Sequence, residues 1–125
     1  MSEYTIMEVE IDDEEALMES LKEMGMTPYK HEIPVSYKDY RGSTRAKVDV
    51  TVDTRYGKVG FEKVGGKYKI HSDSSGRIDT GLLTQLHSKH KVRKAVKRKS
   101  SKYRLVKEDV DAQGNIRMKV RVRSF

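Results

Sequence analysis

"KVDVTVDTRYGKVGFEKVGGKYKIHS", Lys47 to Ser72, is the stretch on which the fold turns. Its opening residues alternate, with Val48, Val50 and Val52 on one side and Asp49, Thr51 and Asp53 on the other. A period of two describes a half-buried strand. "RYG" turns the chain into a second strand, "KVGFEKV", and Gly65-Gly66 is a two-residue hairpin signal into a third, "KYKIHS". The stretch predicts an antiparallel meander of three strands.

Working outward toward the N-terminus, "YTIMEVEI" alternates as well, with Thr5, Met7, Val9 and Ile11 on one side. Asp12 follows as the expected helix cap, with Glu15 three residues on completing a carboxylate capping box. Ala16, Leu17, Leu21 and Met24 then recur at helical spacing until Gly25. Between Met26 and Ala46 the pattern breaks: both prolines, three tyrosines and Gly42 predict a long irregular or partly extended connection. On the C-terminal side, a helix is predicted from about Thr80 into the high nineties, with Leu82, Leu83, Leu86, Val92 and Val96 on one broad face. Lys89, His90 and Arg93 interrupt that face, which implies a kink or long stems reaching past its edge. "YRLVKEDV" and "NIRMKVRVRSF" flank the turn "DAQG". In the last strand Ile116, Met118, Val120 and Val122 point one way, and Arg117, Lys119, Arg121 and Arg123 the other.

The expected architecture is a single domain, residues 1–125, of the α+β class. Its order is β-α-β-β-β-α-β-β, a ferredoxin-like sandwich with two helices on one face of an antiparallel sheet and the other face wet. Val48, Val50, Val52, Phe61, Leu86, Ile116, Met118 and Val120 are expected to share one core with Leu17 and Leu21.

Several pieces of this order resemble a known family. "YT" opens an alternating strand, "EALMESLKEMG" forms the first helix, and "YRG" (Tyr40-Arg41-Gly42), "VGFEK", "LLTQL" and "GNIRMKVRV" follow in sequence. Together they resemble, almost end to end, the plastid hypothetical open reading frame thirty-five family of algal plastids and cyanobacteria. The resemblance implies the same architecture and, the family having no established activity, leaves the function open. Two features depart from the family: a basic run where its second helix turns aromatic-rich, and Phe125 where it ends on tryptophan.

That basic run is "HSKHKVRKAVKRKSSKYR", His87 to Arg104, with nine lysines and arginines and no acid. The whole chain carries a net charge of +7, unevenly spread. Residues 1–62 hold 8 Lys/Arg against 14 Asp/Glu, and residues 63–125 hold 18 against 5. A chain of this kind can fold its acidic part onto its basic part. With no cysteine, disulfides and thiolate metal sites are excluded, and a reducing cytoplasm is the expected setting. The acidic start predicts no signal peptide, and no apolar run approaches the roughly twenty residues that span a bilayer.

No residue pattern here requires catalysis, a cofactor or a metal. His87 and His90 sit three apart on a helix but lack a third ligand, so a surface or edge-packed pair is expected. The glycines of "KVGGKYK" lack the spacing and context of a phosphate loop. The chemistry that remains is binding to an anion. Lys89, Lys91, Arg93, Lys94, Lys97, Arg98 and Lys99 on the helix, Lys102 and Arg104 beyond it, and Arg117, Lys119, Arg121 and Arg123 on the last strand could neutralise phosphates. Tyr40, Arg41 and Arg45 in the long connection add stacking and charge. The expected function is non-enzymatic binding of nucleic acid, RNA or single strands, as a monomer or homodimer. Docking on an acidic protein surface, as an inhibitor, adaptor or assembly factor, demands the same residues and is the alternative.

Overall fold

The computed structural model describes residues 4–39, 41–55, 57–73, 78–99 and 103–122. The alternating stretches form β1 (Tyr4–Glu8), β2 (Pro28–Lys38), β3 (Thr44–Thr54), β4 (Gly57–Val64), β5 (Lys67–Asp73), β6 (Tyr103–Val110) and β7 (Ile116–Val122). The helices are α1 (Glu14–Glu23) and α2 (Thr80–Arg98). The protein is α+β, with a five-stranded antiparallel sheet in the order β1-β5-β4-β3-β2 and a separate hairpin, β6-β7.

The meander is where the sequence places it. Val50 stands opposite Phe61 and Val52 opposite Val59, while Phe61 faces Ile70 on the next strand. Gly65 and Gly66 both take positive φ, 60° and 84°, the mirror-image turn whose twist matches the flanking strands. Apolar side chains on this face meet Leu17 and Leu21 of α1 and Leu83 of α2 in one core, completed by Ile11 and Tyr68.

The architecture departs from the expected sandwich in three respects. First, the connection expected to be irregular or partly extended forms an edge strand, β2. Its register with β3 jumps from Lys30↔Val50 to Val35↔Val48, so residues 31–34 bulge out of the ladder. Pro34 lies in the bulge, where no ladder hydrogen bond is lost, and a bulged edge resists pairing with other chains. Second, β6-β7 leaves the main sheet. Ile116 and Met118 are half-buried against α2 instead of joining the central core, and Val120 is exposed. Third, the second face of the sheet is wet only in part. Tyr37, Val48, Thr51 and His71 are buried there. Val48 belongs to this face: its side chain lies over Gly60, whose missing Cβ would point away from Phe61. Tyr37 lies over the same glycine, donates its hydroxyl to the Lys58 carbonyl at 2.9 Å and brings its ring within 6.2 Å of His71. The end of the β2–β3 arm thus builds a second, small core.

Among the described residues no helix is long and apolar enough to cross a membrane.

Candidate nucleic-acid interface

α1 is capped by Asp13, one residue later than the spacing suggests. The Asp13 carboxylate accepts the Ala16 N–H at 2.9 Å, so position three of the helix is Ala16 and no capping box forms. Asp12 is thereby left free for another partner. α2 is capped by Asp79, which accepts the Leu82 N–H at 3.0 Å, and it runs unbroken through the basic stretch. Of the two alternatives, a kink or long stems reaching past the edge of the face, the partners found by the interrupting residues favour the second.

One stripe of α2, His87, His90, Lys91 and Lys94, follows helical spacing and faces α1. His87 is 1% exposed, and its Nε2 accepts the backbone N–H of Asp13 at 3.1 Å and that of Asp12 at 3.4 Å. These N–H groups precede the first turn of α1, where no helical carbonyl can reach them. His87 is therefore a buried joint between helices, not part of the surface or edge-packed pair expected. His90 turns instead to Glu23, at 2.9 Å. Lys91 donates to both carboxylate oxygens of Asp12, at 2.8 and 3.1 Å. Lys94 holds Asp13 at 3.0 Å and Glu15 at 3.1 Å. The Lys91 ammonium keeps the Asp12 carboxyl below its ordinary value. Burial alone would raise Asp13, but the Ala16 N–H and Lys94 outweigh it and lower it. Lys94 is raised by the same carboxylates, Asp13 first.

A second stripe faces the hairpin. Lys89 is 7% exposed and its ammonium is shared between Glu23 of α1 and, at 3.5 Å, Glu108 of β6. Glu108 also receives Arg93. A buried ammonium is tolerated only when paired, and here the pairing joins three elements. Lys89, chiefly, and His90 lower the Glu23 carboxyl. The acidic part of the chain does close on the basic helix: Lys89, Lys91, Arg93 and Lys94 all have carboxylate partners. Apart from Glu108, those partners lie 66 to 81 residues away along the chain, beyond any argument from neighbours on one helix.

What remains open is elsewhere. Lys97, Arg98 and Lys99 are exposed at the end of α2 and have no acidic partner among the described residues, although the first two also suit the negative end of the helix dipole. On β7, Arg117, Lys119 and Arg121 are exposed. Arg117 lies 3.7 Å from Asp109, which also meets Lys107 at 3.2 Å. The register sets Lys107 opposite Lys119 and Arg104 opposite Arg121. Lys107 is the cation that the sequence reading missed. Its signal was the turn "DAQG", which fixes the register and so brings Lys107 across from Lys119.

Arg41 and Arg45 sit apart, at the turn between β2 and β3. The Asp39 carboxylate accepts the N–H groups of Arg41 and Ser43, at 2.9 and 3.0 Å, and the Arg45 Nε at 2.8 Å. "YRGSTR" is therefore a turn organised by an aspartate, and Arg45 is its counter-ion. Tyr40, Lys102 and Arg123 lie outside the described residues.

A groove of about 380 Å³ separates α2 from β7, lined by Gln85, Ser88, Lys89, Val92, Ile116 and Met118, with Thr84 at its end. Gln85 closes one end by accepting the Ile116 N–H at 3.0 Å. Among the described residues no group of three or more histidines and carboxylates is arranged to hold a metal ion.

The fold and surface together describe a small α+β protein with a basic hairpin. No family model matches the chain, and it has no match among curated proteins or solved structures.

Proposed function

We propose that the protein is a non-enzymatic binding module for nucleic acid, RNA or single strands, working in the cytoplasm through the outer face of β6-β7 and the end of α2. The reading rests on one observation: the hairpin sets Lys107 opposite Lys119 and Arg104 opposite Arg121. Like charges directly opposite across a ladder are destabilising, and a phosphate backbone laid along that face relieves the repulsion. The helix face from Lys89 to Lys94 takes no part, because its charges are already neutralised within the fold.

A labelled oligouridine titrated by fluorescence anisotropy over a salt series tests this. If Lys97, Arg98, Lys99, Lys107, Lys119 and Arg121 each meet a phosphate, log K against log salt slopes near −4, at about −0.7 per phosphate. Lys119→Ala and Arg121→Ala each flatten the slope by a little under one unit. Lys91→Ala leaves it unchanged. No binding at about 50 mM salt, or a Lys91→Ala effect equal to that of Lys119→Ala, rules the reading out.

A second reading, docking on an acidic partner protein, is favoured by the groove between α2 and β7. Phosphates have no use for an apolar groove, whereas a protein partner anchors in one.

A further inference from the structure

We infer that the outer edge of β7 accepts an extended acidic segment of a partner protein as a third strand of the hairpin sheet. This rests on the second reading above and specifies its chemistry. The hairpin is a two-stranded sheet, so among the described residues β7 has one edge without a strand neighbour. The phase of that edge follows from the turn. Asp111 N–H donates to the Asn115 carbonyl at 2.9 Å, and bonded and non-bonded pairs alternate along an antiparallel ladder. Arg117 and Lys119 therefore bond inward to β6, while Ile116 and Met118 turn their N–H and C=O groups outward. The Gln85 carbonyl on the Ile116 N–H agrees with this phase. Among the described residues no side chain supplies the same for Met118.

The two faces of the edge ask for different things. Ile116 and Met118 border the groove of about 380 Å³, together with Val92 of α2. Lys119 and Arg121 on the other face are exposed and have no acidic partner among the described residues. An added strand alternating acidic and apolar residues satisfies both faces and the outward backbone groups of Met118 at once, while the Ile116 N–H stays with Gln85. A second copy of β7 does not, because it would set arginines and lysines against one another. A nucleic acid strand satisfies the cations and leaves the groove empty.

The test uses the full chain and fluorescein-labelled peptides of three kinds, four in all, of about eight residues, a usual strand length. One alternates glutamate and valine; the second is the same peptide N-methylated on the valines and, in a separate synthesis, on the glutamates; the third has the same composition in two blocks. Anisotropy should show the alternating peptide binding, with one N-methylated form at least about tenfold weaker, as expected for the loss of about two hydrogen bonds. Lys119→Glu, at an exposed position, should abolish binding while circular dichroism stays unchanged. Equal binding of all the peptides overturns the inference and leaves an acidic partner in place. Binding of none overturns both, and if oligouridine still binds, the nucleic-acid reading alone survives.

Discussion

His87 shows how a single residue can be misread from its neighbours. Set among lysines it looks like a surface group, yet its Nε2 is an acceptor for two backbone N–H groups of α1. It can accept only when unprotonated. Burial holds its imidazole below the ordinary value and nearby Lys91 acts the same way, while Asp12 and Asp13 oppose them. A histidine whose folded pKa is depressed binds fewer protons folded than unfolded. Its contribution is present in full above about pH 6.5 and is lost as pH falls from there toward the folded value. The denaturation midpoint should therefore drop between about pH 7.5 and 5.5, and His87→Leu should remove most of that dependence while destabilising the protein by about 1–3 kcal/mol through the orphaned N–H groups. An unchanged pH profile in the variant would show that another group is responsible. Asp12, Asp13 and Glu23, all lowered, add a separate loss at more acid pH, below about 4. Lys89 separates structural from binding cations. Lys89→Met should cost about 2–3 kcal/mol and leave any salt slope of binding intact, because the ammonium is enclosed by carboxylates. Lys97→Ala should do the reverse. A destabilised Lys97→Ala with unaltered binding would refute this division.

At the level of elements, legibility followed local periodicity. The meander was readable because alternation and the Gly65-Gly66 turn are properties of adjacent residues. β2 was not, because its four-residue bulge and two prolines destroy the period, and only tertiary cover reveals it as a strand. The side to which Val48 points was misread as well: strict alternation from Val50 puts it in the main core, whereas its side chain lies over Gly60 on the other face. Gly60 is the point at which this second core can be tested. A Cβ there would lie 2.9 Å from both the Tyr37 ring and the Val48 side chain. Gly60→Ala should therefore cost about 1–3 kcal/mol by overpacking, read as a lower denaturant midpoint. A midpoint within error of the parent would mean that the arm yields freely. The hairpin β6-β7 lies at the opposite extreme. It is joined to α2 through Gln85, Lys89 and Arg93 and has no place in the main core. Its amides should exchange with deuterium well before those of β3, β4 and β5. Equal protection would indicate one cooperative unit.

Across the whole molecule, the charge asymmetry of the sequence proves to be a folding device. The possibility that the acidic half closes on the basic half was legible in composition, but which cations it would take was not. That choice depends on how two helices cross, and on Asp13 rather than Asp12 serving as the cap. The surface left for an anion is accordingly smaller and lies in a different place. The pairing also bears on synthesis. Glu23 leaves the ribosome 66 residues ahead of Lys89, and Asp13 leaves 81 ahead of Lys94. At about 5–20 residues per second the 66-residue gap is a wait of roughly 3 to 13 s, during which α1 has neither His87 nor the lysines to hold it. A nascent chain arrested before α2 should be cut readily by protease near α1, and one released after Arg98 should resist. The last third of the chain thus decides when the first becomes safe.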